Sequence, residues 1–445
     1  MRSATPFGER MARGGEVMQQ RPRVLRPNRA QIELRATDLE GLLPEDHRAR
    51  AVWDFVEGLD LSVLYEGIES VEGHAGRPAI DPGILLALWV YATAEGVGSA
   101  RALERLCGEH DAYRWICGGV AVSAHTLSDF RVAHGTVLDA LLTQSVAQLM
   151  AEGLVDLRRV AQDGLRVRAS AGAASFRRRR RLREFLREAG EQVERLRREL
   201  DEDPAATSRR ETAARERAAR ERKRRVQQAL AEMGREEERR TQRARSRPRE
   251  QKKESRVSTT DPEARVMRMA DGGFRPAYNA QLATDAGSQI IVGVDVTAQG
   301  SDSGHAEPMR AQIERRCGAP PESMLVDGGF LSLEDIDVVE QGGCRVYAPP
   351  MQRPRDPRSR DRRRGRYDTP ATARWRRRMA TRGAKRVYRL RAATAECVNA
   401  IARNRGLQQF RVRGLKKARA VLLWYALAHN ALRGAGLRTA ALAEA

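Results

Sequence analysis

The chain has 445 residues and a mass of 49.7 kDa, and its 81 Lys and Arg against 59 Asp and Glu leave a net charge of +22 and a pI near 10.8. That length has room for about three domains, and that charge points to a polyanionic partner, nucleic acid first. No uninterrupted apolar run reaches the ~18 residues of a membrane span and the N-terminus lacks an apolar signal core, so a cytoplasmic, nucleoid-associated protein with no membrane partner is expected. Five scattered cysteines, without paired spacing or nearby histidines, argue against structural zinc and against a complete disulfide framework.

Residues 1–35 are rich in Arg, Gly and Pro without an apolar period and read as a flexible basic arm. From 36 to 150 the pattern is helical. IDPGILLALWVYATAEG, with Pro82 near its start, predicts a buried helix. SARALERLCGEHDAYRWICGGVAVSAHTLSDFRVAHG predicts a helix, a short helix, a turn at 118–119 and a last helix capped by Ser123. One reading is a helix-turn-helix whose second helix offers His125, Thr126, Ser128 and Arg131 to DNA; the other is an ordinary helical bundle without groove contact.

VAQDGLRVRA then reads as a buried strand holding Asp163. A charged stretch follows at 176–256, where Leu182, Leu186, Ala189, Val193, Leu196 and Leu200 recur at heptad spacing. DEDPAATS breaks that helix, and Val226, Leu230 and Met233 mark one side of a second, so an antiparallel helical hairpin is expected. Its 29 basic and 17 acidic residues over 177–256 are interspersed, as on a solvated helix or an arm that contacts DNA or protein. PAYNAQLATD and QIIVGVDVT, joined by AGS, read as a hairpin; SMLVDGG and CRVYAPP read as strands on either side of a helix starting near Ser332. A second basic block at 352–391 contains Pro, Asp and Gly that forbid one continuous helix, and its Tyr367, Trp375 and Tyr388 are candidates to stack on bases. VLLWYALAHNAL is apolar on most sides and reads as core.

Asp163 and Asp327 each fall at the end of a strand-like run, and Glu396 falls in a helical stretch between basic residues. Carboxylates that converge from separate elements are the hard oxygen donors of Mg²⁺. Taken singly, an Asp before Gly often just opens a turn, and a Glu in a basic helix is usually a surface ion-pair partner. Asp285 and Asp295, on the hairpin strands, are reserve candidates.

The three acids, together with DPEARVMRMADGGFRPAYNAQLATD at 261–285, LVDGGFLSLEDI at 325–336, and RLRAATAEC, GLQQFRVRGLKKARA and LAHNAL further on, resemble the DDE transposases of bacterial insertion sequences. The branch is the one with a long charged insertion after the first Asp. The resemblance implies an α/β fold: a ribonuclease-H-like mixed sheet over 151–445, interrupted by the helical hairpin at 176–256 and preceded by an all-helical DNA-binding domain at 36–150. It implies two Mg²⁺ ions, with Mn²⁺ as a substitute, held by Asp163 as the bridging ligand, Asp327 and Glu396. Tyr388 and Arg391 would contact the transposon end, and Arg403 stands where relatives carry a Lys. The run after Glu396, CVNAIARNRGL, departs from the common family pattern. The implied activity is binding of terminal inverted repeats, then strand cleavage and transfer of transposon ends into target double-stranded DNA, by a homodimer in the synaptic complex. A catalytically inactive transposase-derived DNA-binding protein and a metal-dependent nuclease without strand transfer are the alternatives.

Overall fold

The computed structural model describes residues 38–70, 73, 78–202, 206–244, 254–350 and 369–444. The basic arm at 1–35 and Tyr367 lie outside them. The helical region holds α1 (Arg48–Glu57), α2 (Ser62–Tyr65), α3 (Pro82–Ala94), α4 (Ala100–Glu109), α5 (Asp111–Cys117), α6 (Ala124–Ala133) and α7 (Gly135–Ala151). Local chemistry sets several of these boundaries. The Asp81 side chain accepts from Gly83 N at the start of α3, with Pro82 in the first turn. Gly118 stops α5 at φ 55°, Gly119 follows at φ 85°, and Ser123 Oγ accepts from Thr126 N to start α6.

Strand β1 (Val160–Arg168) leads to a short β2 (Phe176–Arg177), then to α8 (Arg179–Glu202) and α9 (Ala206–Ala244), and back through β3 (Val257–Ser258). β2 and β3 pair antiparallel, closing the base of the helical hairpin. Its two helices bury Leu182, Val226, Ala229 and Met233 near the base, and Val193, Leu196 and Ala219 farther out, against each other. Arg265, on the following strand, ties the base to the sheet through Glu232 and Glu236.

The main sheet is built from β1, β4 (Arg265–Arg268), β5 (Phe274–Asp285), β6 (Ile291–Thr297), β7 (Ser323–Leu325) and β8 (Arg345–Tyr347). β5 runs antiparallel to β1, with Asp163 opposite Leu282, while β1–β7 and β7–β8 are parallel. β4 and β6 share the far edge of β5, one pairing residues 274–277 and the other 279–284. Leaving β4 aside, the order β6-β5-β1-β7-β8 is the ribonuclease-H-like arrangement of a meander followed by two parallel crossovers. The crossovers are α10 (Ala306–Cys317) and α11 (Leu333–Gln341), the latter opened by a capping box between Ser332 and Asp335. The chain ends with α12 (Pro370–Ala380), α13 (Arg382–Arg391), a π-helical turn Ala392–Glu396, α14 (Cys397–Asn404) and α15 (Leu415–Glu444).

One hydrophobic cluster joins the helical region to the sheet, and α15 is its axis. Trp424 on α15 packs near Trp89 on α3 and donates its indole N–H to Arg131 O, while Trp89 donates to Leu127 O. Farther along α15, Asn430 exchanges two hydrogen bonds of 2.8 Å with the backbone of Ile291, and Arg433 donates to Ser288 O. The LAHNAL stretch therefore fixes the turn between β5 and β6. Asp285, a reserve acid, belongs to that turn: its Oδ2 accepts from Ser288 N and Oγ at 2.8 and 2.7 Å. Trp375 does not serve as a stacking platform, because α12 packs against α11 and β8 and leaves that ring only 4% exposed.

His429, beside Asn430, lies 2.9 Å from Gln289 O, and burial lowers its pKa to about 4. The folded imidazole is thus neutral where an unfolded one, near 6.5, begins to protonate. The contribution of His429 to stability should be constant above pH 6.5 and fall as the pH drops from there toward 4, by up to about 1.4 kcal/mol per pH unit. Urea denaturation across that window, repeated on His429→Gln, checks this: the variant should show a shallower acid slope.

Candidate active site

Asp163 lies in the middle of β1 with its side chain 19% exposed. Burial pushes its carboxyl above the usual range, against the opposing pull of Arg391. Its two oxygens are divided between two donors: Oδ1 takes Arg391 Nη2 at 2.9 Å and Oδ2 takes Asn399 Nδ2 at 2.9 Å. Arg391 also reaches Glu396 Oε1 through Nη1 at 3.0 Å. Five residues apart, Arg391 and Glu396 would diverge by about 140° on a regular α-helix; the π-helical turn between them adds a residue and returns both to one side.

Asp327 follows β7, exposed, with Oδ1 accepting from Gly328 N at 2.7 Å. Although it makes no direct bond to Arg391, its charge acts on that group. Burial works against the Arg391 guanidinium, but Asp163, Tyr388, Asp327 and Glu396 together raise its pKa. Tyr388, half-buried one turn earlier on α13, has its phenol pushed up by burial first and then by Asp327, Glu396 and Asp163, so it stays a neutral donor. Three acids from β1, the end of β7 and the π turn thus surround one cation.

The side chains fit a divalent ion in kind, being hard carboxylate oxygens. Among the described residues, however, no three His, Cys, Asp or Glu side chains come close enough together to hold a metal. The cation between Asp163 and Glu396 in this arrangement is the guanidinium of Arg391. A metal bound there has to displace it.

On the opposite face of β1 a second polar network supports the strand. Asp302 accepts from Asn279 Nδ2 at 2.6 Å, Gln281 Nε2 at 2.8 Å and Arg166 Nη2 at 3.0 Å. A Cβ at Gly164 would collide with the Asp302 carboxylate and lie 2.7 Å from Gln281 Nε2 and 2.9 Å from Asn279 Oδ1. Gly164 therefore opens no turn; it lets the network press onto the strand directly behind Asp163. Neither Asn399 nor Asp302 was singled out from sequence, although Asn399 lies three residues after Glu396, on the same helical face.

The other candidates fall apart from this cluster. Arg403 is exposed on α14 and lines a groove that begins at Gly164. On α6, His125 is exposed near Asp129, and Thr126 Oγ1 is occupied with Ser123 Oγ at 3.0 Å. His125 and Ser128 line an open groove with Arg101 and Arg411. Arg131 borders the same groove but turns its guanidinium inward, over the Trp89 ring and onto Gly98 O at 2.7 Å. Asp295, the second reserve acid, opens into a different pocket, with His305 and Arg419.

Residues 37–133 match the family model described as a transposase domain (DUF772), and residues 248–431 match the one described as a transposase DDE domain. Together the two spans cover well over half of the chain. The chain belongs to the DDE transposases of insertion-sequence type. Its DDE span contains Asp327 and Glu396, while Asp163 and both helices of the hairpin up to Ala244 lie between the two matches. No curated protein matches the chain, and no solved structure does.

The transposase should tolerate no side chain at position 164. Gly164→Ala is expected to destabilise the fold by about 1–3 kcal/mol through overpacking against Asp302. The loss should shrink when combined with Asp302→Ala; a double-mutant cycle by chemical denaturation measures the coupling.

Proposed function

We propose that this transposase binds the terminal inverted repeats of its insertion sequence and cuts and joins DNA strands at Asp163, Asp327 and Glu396. The observation that carries the reading is the gathering of these three carboxylates, from three separate elements, around the single guanidinium of Arg391. In this proposal Asp163, Asp327 and Glu396 would hold Mg²⁺, or Mn²⁺ in its place. Bound there, a pair of ions supplies charge stabilisation to the attacking and leaving oxygens of an in-line phosphodiester displacement.

The chain's own residues do the rest. Asn399 holds Asp163 Oδ2 and fixes the carboxylate's rotation. Arg391, released from the acids, has the planar fork that pairs with a phosphate. Tyr388, kept protonated, donates a hydrogen bond to the same backbone. The exposed His125 and half-buried Ser128 with Arg101 and Arg411 offer a separate surface to the terminal repeat, and the synaptic complex is a homodimer holding two ends.

Asp163→Asn, Asp327→Asn and Glu396→Gln should each lower Mg²⁺-dependent cleavage by ~10³ or more while leaving binding of a terminal-repeat duplex intact, because the amides keep the volume and lose the charge. Gel shift and cleavage of a labelled end measure the two separately. Wild-type cutting in any of the three variants sinks the assignment. Binding by the wild-type chain without cutting points to an inactive derivative, and cutting without joining points to a nuclease.

A further inference from the structure

An open groove of about 750 Å³ is lined by Gly164, Arg166, Arg168, Arg268, Arg275 and Arg403. Two of these are already committed: Arg166 to Asp302 and Arg275 to Asp271. Arg168 at the end of β1, Arg268 at the end of β4 and Arg403 on α14 are exposed and have no carboxylate partner among the described residues. Three unneutralised guanidiniums, from three elements, converge on a cleft whose floor includes the bare backbone of Gly164 and Gly300. That is an environment for a chain of phosphates; Gly164 and Arg166, which line it, stand on the face of β1 away from the Asp163 side chain.

The rim adds an aromatic. Phe274 is 70% exposed, and it pairs with Arg268 across the β4–β5 ladder, so ring and guanidinium stand on the same face of that hairpin. Val266, two residues before Arg268 and on the same face, is 50% exposed. A Phe left in water beside an arginine that lines the groove is the combination that binds unpaired strands, where arginines follow the backbone and rings receive bases. A paired and stacked base has no free face to give it.

We propose that this groove is the track of an unpaired DNA strand, with Arg168, Arg268 and Arg403 on its phosphates and Phe274 stacked on one base. The assignment rests on the transposase reading of the chain, and goes beyond it by naming a single-stranded path for the DNA outside the acid cluster.

The test uses the full chain and fluorescence anisotropy with a labelled oligothymidylate of about 15 nucleotides, beside a blunt duplex of the same length. Phe274→Ala should weaken oligothymidylate binding about five- to a hundredfold and leave duplex binding unchanged, and Phe274→Trp should restore it. The Arg168→Ala, Arg268→Ala double variant should flatten the slope of log affinity against log salt by about 1.4, at ~0.7 per phosphate contact on a single strand. Circular dichroism of each variant should match the wild-type chain, since all three side chains are exposed. Single-strand binding that is unchanged in both the Phe274→Ala and the double-arginine variants overturns the proposal. So does an equal loss of duplex and single-strand binding on Phe274→Ala. Cleavage is scored separately: a wild-type chain that never cuts DNA but binds strands through this groove removes the enzymatic reading and keeps the track, whereas normal cutting with groove-independent strand binding removes the track alone.

Discussion

A carboxylate set in the middle of a buried strand has to be matched by positive charge, and at Asp163 the match is Arg391. Desolvation pushes the acid toward its neutral form, and the guanidinium opposes this. Meeting that requirement fixes much else. α13 has to end over β1, the π turn has to bring Glu396 round to the same cation, and Asn399 has to satisfy the second oxygen. The site is a set of answers to one electrostatic demand, made by elements far apart in the chain.

Those elements are held in place by apolar packing centred on α15. Because α15 touches α3, α7 and β6, the helical region and the sheet share one core and cannot shift independently. The polar residues of the family stretches do similar work at its margins. Asn430 and Arg433 grip the β5–β6 turn. Buried Asp261, from DPEARV, accepts the Tyr278 hydroxyl at 2.6 Å and Gly414 N at 3.2 Å, joining β5 to the start of α15. These side chains build the scaffold and take no part in the acid cluster.

Local patterns made the elements legible. β1, the β5–β6 hairpin, β7, β8 and the Ser332 start of α11 follow from apolar runs, turn residues and caps, each of which acts over a few positions. The order of the strands did not follow from periodicity, since β1 pairs with residues more than a hundred positions away, and the family resemblance supplied it. Within the site, the three acids were visible as carboxylates of strand-like and helical runs, but Asp163, which its apolar run placed at a strand end, stands in the middle of β1, because the strand continues through Gly164 to Arg168. Asn399 and Asp302 were not, because an amide in a helix and an Asp in a Gly-rich loop look like ordinary surface residues until the fold gives them partners. The π turn was equally hidden: nothing in AATAE distinguishes it from a regular helix. Trp375 misled in the other direction, since a Trp among arginines has the composition of a nucleic-acid contact, and only the packing of α12 shows it buried.

The small ribbon of β2 and β3 has a mechanical consequence. Phe176 faces Ser258 and Arg177 faces Val257, so the long insertion leaves the sheet and returns to it at neighbouring points. The ribbon sets the separation of the insertion's two ends, and the ion pairs of Arg265 with Glu232 and Glu236 add a second tie between α9 and β4. An insertion anchored at its base by four ribbon residues and by the Arg265 ion pairs can differ in length farther out without moving the two ends it returns to the fold.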